Sequence, residues 1–245
     1  MTTPTILITG ASQGIGLATA KAFAAAGWRI VLAARNAEKI AAHAADLGAT
    51  GVPTDVADPA SVAALFERIA ETHGRLDAVF NNAGVNVPPS DPGALGFEAW
   101  RSVVSVNLDG AFLIASHAFR MMKAQDPQGG RIINNGSISA HAPRPGSVAY
   151  TTSKHAITGL TKCIALDGRP YRIACGQIDI GNAQSEMAAR LGEGTAQADG
   201  SIRPEPLMNV DHVAQAVLAM ASLPLESNVL FQTIMATNMP FVGRG

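Results

Sequence analysis

The sequence predicts an α/β fold in which one doubly wound parallel sheet of about seven strands carries helices on both faces. Two observations lead to this prediction. Short β-rich runs alternate with longer helical patterns, and a glycine-rich turn joins the first run to the first helix. Such alternation is typical of βαβ units, because parallel strands need crossover connections. We find no internal repeat and no linker rich in Pro, Gly or Ser, so one domain over residues 1–245 is expected.

The strands are predicted from short apolar runs rich in β-branched residues. They are expected at Thr5–Thr9, Arg29–Ala33, Leu76–Phe80, Arg131–Asn135, Arg172–Ile178 and Val229–Thr237. A further strand is expected before Thr54, and the last of the series is expected to form the edge of the sheet.

The helices are predicted from helical periodicity and from capping residues. Asp58 and Pro59 have the residue types of an N-cap and first helical position, and an apolar stripe follows them until Gly74. The other helices are expected at Ile15–Ala26, Phe97–Met122 (with a possible break), Val148–Leu166 and Val210–Ala221.

One segment, Gln184–Met208, has weak periodicity and is rich in Gly, Ala and polar residues. A loop of this length inside a compact domain is usually functional. We predict a substrate lid at 184–208, with a poorly ordered surface insertion as the alternative.

Composition excludes several classes of protein. Hydrophobic residues make up 47% of the chain and charged residues 15%, against about 25% charged in an average globular protein. Such a balance is unlike that of a disordered chain. With 18 basic and 19 acidic residues the net charge is −1, so no nucleic-acid partner is expected. The low charge favours a homo-oligomer, in which another copy covers apolar surface.

The two cysteines, Cys163 and Cys175, are too few for a disulfide framework and lack metal-ligand spacing. Met1–Gly10 does not have the pattern of a signal peptide, and no uninterrupted apolar stretch approaches the length of a membrane span. A cytoplasmic protein with no membrane partner and no metal is therefore expected.

The glycine-rich turn has the spacing of a phosphate-binding loop. Gly10, Gly14 and Gly16 let the backbone turn tightly and approach a pyrophosphate, while the start of the helix supplies free N–H groups. In its strand–turn–helix context this turn predicts a Rossmann-like nucleotide site. The expected cofactor contacts in the turn are Gly10, Ser12, Gln13, Gly14, Ile15 and Gly16.

The end of the second strand indicates which dinucleotide binds. An acidic residue usually binds the ribose 2′-hydroxyl at this place, whereas an Arg accommodates a 2′-phosphate. The chain has Arg35 there and no Asp or Glu. NADP(H) is therefore favoured and NAD(H) remains possible. Gln13 weakens the preference, since a basic residue at that position would have strengthened it.

Three further strings complete a pattern that resembles the short-chain dehydrogenase/reductase family, in its compact single-domain branch. They are Asn81-Asn82-Ala83-Gly84, Ser137, and the Tyr150–Lys154 string with its Tyr-x-x-x-Lys spacing. The resemblance implies that Tyr150 is the general acid/base, that Lys154 is its lysine and that Ser137 orients the substrate. It further implies a catalytic role for Asn107, with Asn107 and Lys154 holding water for a proton relay. The cofactor contacts it implies are Asp55, Val56, Asn81, Ala83, Gly84, Tyr150, Lys154 and Ile178.

The chemistry of this set is reasonable without the resemblance. Tyr150 and Lys154 are four residues apart on a predicted helix and so share one face. A free tyrosine has a pKa of about 10, and a nearby ammonium together with an oxidised nicotinamide would lower the pKa of Tyr150. Ser137 could donate a hydrogen bond to the substrate oxygen, where charge develops during hydride transfer.

Two regions depart from the family pattern. The family usually has a Pro-Gly step and then a threonine after the sixth strand, whereas this chain has Cys175-Gly176 and, at the threonine position, Ile180. We expect Ile178 to offer backbone groups to the nicotinamide amide and Asn182 to substitute for the missing hydroxyl. The apolar end of the chain, Met239–Gly245, is expected to form a subunit contact. A single histidine near the serine, His141, is interpreted as structural.

Two functions compete. One is an NAD(P)-dependent oxidoreductase acting on a carbonyl or secondary alcohol; the other is a non-catalytic NADP-binding sensor or interaction protein on the same fold. Dehalogenation and epimerisation are disfavoured, since enzymes of the first kind tend to lose the glycine turn and those of the second tend to have longer chains. The substrate stays open among β-ketoacyl thioesters, keto-steroids, sugars and small ketones.

Overall fold

A computed structural model describes residues 3–185 and 194–242 and confirms the predicted fold. Seven parallel strands form the main sheet, in the order β3-β2-β1-β4-β5-β6-β9. They are β1 Thr5–Thr9, β2 Arg29–Ala34, β3 Thr50–Pro53, β4 Ala78–Asn81, β5 Gly130–Asn135, β6 Ile173–Ile180 and β9 Phe231–Ile234. Between β6 and β9 a small antiparallel hairpin pairs β7 Thr195–Ala196 with β8 Ile202–Arg203.

Helices cover both faces of the sheet, because alternate strand residues point to opposite sides. Ile6 and Ile8 of β1 pack into one apolar cluster with α1, α2 and α7, whereas Leu7 packs into a second cluster with α3 and α5. The helices are α1 Gly14–Ala25, α2 Ala37–Leu47, α3 Pro59–His73, α4 Phe97–Val104, α5 Ala111–Ala124, α6 Val148–Asp167 and α7 Val210–Ser222. Two short 3₁₀ turns lie at Ile138–Ala140 and Arg169–Tyr171.

The break expected within Phe97–Met122 is a single π-helical turn, Ser105–Gly110, between α4 and α5. At its end the helix approaches the loop after β3 closely, since a Cβ on Gly110 would lie 2.8 Å from Val56 Cγ2. By length and composition, Phe97–Ala124 could cross a membrane. Core helices of soluble proteins pass the same test, and in this fold one side of α5 packs into the second apolar cluster.

Two strand bounds near the site differ from the sequence prediction. Strand β6 continues to Ile180, two residues beyond the expected end, and β9 at the sheet edge is shorter than Val229–Thr237. Of the expected lid, residues 186–193 lie outside the described part of the chain. The ends of that segment are fixed by backbone hydrogen bonds, since Gln184 N–H donates to Met208 O and Met208 N–H donates to Asn182 O, both at 2.8 Å. The role of a lid stays a prediction.

A buried guanidinium joins the sheet to the connection after α7. Arg131 of β5 is 2% exposed and has no carboxylate partner within the described residues. Its Nη2 donates to the carbonyl oxygens of Leu223, Pro224 and Ser227 at 2.9–3.1 Å, and its Nη1 donates to Asn228 Oδ1 at 2.9 Å. Burial lowers the pKa of Arg131.

We expect Arg131→Met to lower the free energy of unfolding by about 2–4 kcal/mol, because three carbonyl groups and the Asn228 amide would lose their buried donor. Urea unfolding followed by circular dichroism measures the change. The matched control is Arg68→Met, which removes an exposed pair with Glu71 and should change stability by less than about 1 kcal/mol. Equal effects of the two substitutions would contradict this account of Arg131.

Candidate active site

A cavity of about 750 Å³ opens at the carboxyl ends of the parallel strands. It lies where the strand order reverses, between β1 and β4, which is the usual ligand position in a doubly wound sheet. Its volume is within the range of small-molecule and cofactor sites.

The glycine turn forms one wall, and all six of its predicted contact residues line the cavity. Gly10 and Gly14 have φ values of +66° and +55°, which side chains rarely adopt. A Cβ on Gly10 would lie 2.9 Å from Ala83 Cα, and a Cβ on Gly16 would overlap the Gly10 carbonyl oxygen. The side chain of Gln13 makes no capping bond at the start of α1 within the described residues. The backbone N–H groups are therefore available, and this cradle fits a pyrophosphate.

Two cationic side chains line the cavity beyond β2. Arg35 lies there as predicted, and Lys39 on α2 lies there too. Lys39 was missed by sequence reasoning; its position one turn into the helix after Arg35 is the signal that could have found it. Both side chains are exposed, and neither has an ion-pair partner among the described residues. Asp55 and Val56 line the same end of the cavity.

The segment at the end of β4 lines the cavity from Asn82 onwards. Ala83 and Gly84 line the cavity, but Asn81 does not. The Asn81 amide is buried and donates to Ala111 O at 2.8 Å and to Asn134 Oδ1 at 3.2 Å, on the α5 side of the sheet. The expected direct contact of Asn81 with the cofactor is therefore replaced by a packing position.

Asn82, which sequence reasoning did not single out, lies at the cavity instead. Its Nδ2 donates to Thr9 O at 2.8 Å, and its Oδ1 accepts from Asn135 Nδ2 at 2.8 Å. These two bonds join the ends of β1, β4 and β5 under the glycine turn.

The three predicted catalytic side chains of Ser137, Tyr150 and Lys154 line the cavity together. Ser137 begins the first 3₁₀ turn, and a hydrogen bond joins its side chain to that of Tyr150. Lys154 lies one turn further along α6, with its Nζ 5.5 Å from the centroid of the Tyr150 ring. Its ammonium donates to Asn135 O at 2.7 Å, which fixes it at the cavity beside the end of β5.

The pKa shifts of Tyr150 and Lys154 differ from the expectation that Lys154 lowers the pKa of Tyr150. Burial raises the pKa of Tyr150, against smaller opposing effects of the Ser137 hydrogen bond and the Arg144 charge. Burial lowers the pKa of Lys154 to about 8, against the opposing charge of Asp179. Desolvation penalises both charged forms, so an ion pair of phenolate and ammonium is not the resting state of the unliganded chain.

Asn107 lies on the π turn and is buried beside the cavity without lining it. Its Oδ1 accepts from Val85 N at 2.8 Å, and its Nδ2 donates to Val85 O at 2.9 Å and to Ser153 Oγ at 3.3 Å. The amide thus holds the loop following Gly84 against α6. Its implied part in a proton relay stays a prediction.

The end of β6 differs from the expected arrangement. Cys175 and Gly176 pair with Ile132 and Ile133 inside the sheet, so they are not at the turn where the family has its Pro-Gly step. Ile178 is fully buried, and its carbonyl accepts from Gly136 N at 2.9 Å, which leaves it off the cavity wall. The reason is that the strand runs on for two further residues. On this side the cavity is lined by the last residue of β6 and the residues after it: Ile180, Gly181, Asn182, Ala183 and Ser185.

Asn182 lines the cavity as expected, but its amide is already engaged. It accepts from Arg144 Nη2 at 2.8 Å and donates to Glu205 Oε2 at 2.7 Å. Arg144 and Glu205 also form an ion pair at 2.7 Å. This network, which sequence reasoning missed, joins the loop before α6 to the arm that carries β7 and β8.

Fold and site together define a dinucleotide-binding α/β protein with a Ser–Tyr–Lys set. The family model for short chain dehydrogenases matches residues 4–196. The chain belongs to the short-chain dehydrogenase/reductase family, whose members are oxidoreductases that use a nicotinamide cofactor.

Individual proteins agree with this assignment. A 3beta-hydroxysteroid dehydrogenase from Mediterraneibacter gnavus is 35% identical over 190 residues, which cover 76% of this chain and 68% of that protein. A crystal structure of a 3-ketoacyl-(acyl-carrier-protein) reductase from Brucella melitensis matches with a TM-score of 0.86 at 24% identity, covering 96% and 98% of the two chains. An alcohol dehydrogenase from Thermococcus sibiricus matches with a TM-score of 0.81 at 23% identity, covering 97% of each.

Proposed function

We propose that this protein is an NAD(P)-dependent oxidoreductase that interconverts a carbonyl compound and its secondary alcohol, with Tyr150 as the general acid/base. One observation carries the proposal. The side chains of Ser137, Tyr150 and Lys154 lie in the same cavity as the glycine turn. A cofactor bound along that turn and a substrate oxygen at Tyr150 would therefore be neighbours.

In this proposal the bound nicotinamide supplies or accepts the hydride, and the side chains handle the proton. Ser137 donates a hydrogen bond to the substrate oxygen, where negative charge develops during reduction. The hydroxyl of Tyr150 then transfers its proton to that oxygen; in the alcohol oxidation the same group takes the proton back. Lys154, when protonated, stabilises the phenolate that forms.

The test is oxidation of NADPH and NADH, followed by absorbance, with a panel of ketones, aldehydes and β-ketoacyl thioesters. We expect turnover with at least one member of the panel. Cofactor binding without turnover of any member would count against the oxidoreductase and favour the non-catalytic NADP-binding protein. The name of the relative from Mediterraneibacter gnavus, a 3beta-hydroxysteroid dehydrogenase, supports a small-molecule substrate.

We further propose NADP(H) as the preferred cofactor. Arg35 and Lys39 both line the cavity near the end of β2, where a 2′-phosphate would lie. Of the solved structures similar to this chain, one was determined with NADH and another with 5-hydroxy-NADP, so they do not favour either cofactor. The proposed preference for NADP(H) therefore rests on Arg35 and Lys39.

We expect Arg35→Ala to weaken NADPH binding by roughly tenfold or more while NADH binding changes less than about threefold, because only NADPH carries the phosphate. Fluorescence titration of each cofactor measures this. Lys21→Ala, which removes an exposed cation from α1 away from the cavity lining, is the control. A loss of equal size for both cofactors would contradict the phosphate contact.

The raised pKa of Tyr150 predicts different pH dependences for the two reactions. Because burial raises the pKa of Tyr150, the group is protonated at neutral pH and competent as an acid. We expect kcat/KM for alcohol oxidation to rise as the pH increases from 7 towards 10, because the small deprotonated fraction of Tyr150 grows, whereas kcat/KM for carbonyl reduction shows no such rise because Tyr150 stays protonated over this range. Initial rates in both directions over this range measure it, and parallel profiles would contradict the assignment.

We also propose a cytoplasmic homo-oligomer, dimer or tetramer. Phe97 on α4 and Phe112 on α5 are 70% and 54% exposed, and Leu166 at the end of α6 is 58% exposed. Exposed aromatic residues on neighbouring helices are typical of a subunit interface. Light scattering of the purified chain tests it, and a monomer at micromolar concentration would overturn it.

A further inference from the structure

We propose that Asp179 is a positioning residue of this active site: a buried carboxylate that holds the backbone of Ser137 and supplies the negative charge opposite Lys154. The inference rests on the proposed function. Asp179 lies on β6 and is 1% exposed. It does not line the cavity, so it would act through the residues it holds.

The contacts of Asp179 reach the catalytic serine directly. Its Oδ1 accepts from Ser137 N at 3.1 Å and from Gln177 Nε2 at 2.7 Å. The carboxylate also lies against Gly136, where an added Cβ would overlap Oδ1. A larger residue at 136 would therefore displace the loop that carries Ser137. This packing fixes the serine at the start of its 3₁₀ turn.

A second set of contacts connects Asp179 to α6, the helix that carries Tyr150 and Lys154. Gln177 Nε2, which donates to Asp179, also donates to Thr158 Oγ1 at 3.1 Å. Gln177 Oε1 accepts from Thr161 Oγ1 at 3.1 Å. The carboxylate thus shares one buried hydrogen-bond network with both elements that present the catalytic side chains.

The charges that face Asp179 come from two elements. His141, on the far side of the 3₁₀ turn, contacts Oδ2 through its Nε2 at 2.7 Å while its side chain stays 46% exposed. Lys154 on α6 feels the carboxylate charge, which raises the pKa of that ammonium against the effect of burial. Among the residues that the structure describes, the other ionisable groups at this end of the cavity are Tyr150 and Arg144. With a neutral side chain at 179, burial would lower the pKa of Lys154 without the opposing effect of a carboxylate charge.

The substitution Asp179→Asn separates charge from shape. The amide keeps an oxygen that can accept from Ser137 N, and its NH₂ group can donate to the other tautomer of His141. Loss of the charge lowers the pKa of Lys154 below its present value of about 8. Because an opposite charge near Lys154 is removed, we expect the pKa of Lys154 to fall by roughly one unit.

The readout is NADPH affinity, measured by fluorescence from pH 6.5 to 9.5, which needs no substrate. In the unaltered protein we expect affinity to fall as the pH rises through about 8, because Lys154 lines the cavity and loses its charge there. In Asp179→Asn the fall in NADPH affinity should occur about one pH unit lower, which makes NADPH binding at pH 8 roughly fivefold weaker than in the unaltered protein. Lys154→Met should remove the fall altogether.

The matched control is Asp77→Asn. Asp77 is a partly buried carboxylate that, like Asp179, accepts from a backbone N–H, in its case that of Thr5 at 2.8 Å, and it pairs with a cation, Arg75. It lies before β4, away from the cavity lining. Its variant should follow the pH profile of the unaltered protein, whatever it does to stability.

Profiles of Asp179→Asn and the unaltered protein that superimpose would overturn the inference, leaving Asp179 a structural residue. If circular dichroism shows that Asp179→Asn does not fold, His141→Ala decides instead. That variant removes a donor from Oδ2, concentrates the negative charge and should move the fall to higher pH; an unmoved profile overturns the inference. Shifted binding profiles with no turnover of any substrate would refute the proposed function alone, and absence of NADPH binding would refute both.

Discussion

Replacing Tyr150 by Phe is expected to lower kcat by about three orders of magnitude while the dissociation constant for NADPH changes less than about twofold. The ring is retained, so the packing of α6 against the Ser137 turn is kept. The hydroxyl that shares a hydrogen bond with Ser137 is lost, and with it the proton for the substrate oxygen. Stopped-flow turnover and fluorescence titration of NADPH, on the same preparation, separate the two effects.

The chain offers a matched control, because it contains only two tyrosines. Tyr171 lies in the second 3₁₀ turn, where its ring packs edge-on against Phe119 at 5.9 Å and beneath Lys123 Nζ at 4.1 Å. Tyr171 does not line the cavity. Tyr171→Phe should keep full turnover. A Tyr150→Phe variant that retained more than a tenth of the activity would remove Tyr150 from the role of acid/base.

The environment of Tyr150 makes its protonation sensitive to charge that enters the cavity. In the chain alone, desolvation acts against the phenolate more strongly than Ser137 and Arg144 favour it. The ammonium of Lys154 is itself penalised by burial, so it loses its proton near pH 8. A buried pair of this kind is poised to respond to an added charge, since each interaction is stronger at low dielectric.

Sequence reasoning predicted the sheet and the glycine turn because both depend on local patterns. The apolar runs of β1 and β2 pair in register from Thr5 with Arg29 to Thr9 with Ala33, as two uninterrupted buried strands should. The order of the motifs alone predicted that Ser137, Tyr150 and Lys154 lie together. The place of Arg35 at the end of the second strand likewise predicted that it lies at the cavity.

What the sequence could not predict depends on contacts between distant residues. Asp179 looks like a turn residue, yet it lies inside β6, where its carboxylate contacts His141, 38 residues earlier. Strand β6 runs on to Ile180 because its last four residues pair with β9, and Ile178 therefore lies off the cavity. Asn81 and Asn82 are adjacent, so they face opposite sides, and only the pairing of β4 decides which one meets the cavity.

Replacing Gly16 by Ala should abolish measurable NADPH binding, a loss of at least about a hundredfold. The added Cβ would overlap the Gly10 carbonyl oxygen and lie 2.8 Å from Asn82 Nδ2. The first obstacle is backbone rather than a flexible side chain, so the turn itself must open. Asn82 is held by Thr9 and Asn135, and cannot yield without disturbing the ends of three strands. The N–H groups at the start of α1 would then leave the positions that suit a pyrophosphate.

The control for this substitution is Gly159→Ala. Gly159 lies inside α6, where an added Cβ would meet no atom within 4 Å, so the change should stabilise the helix by up to about 1 kcal/mol. Calorimetric titration of NADPH and thermal unfolding of both variants give the comparison. If Gly16→Ala bound NADPH as well as Gly159→Ala does, the cofactor would not require a close approach to the turn. The phosphate-binding role of the turn would then fail, because that role requires contact between backbone and ligand that no side chain obstructs.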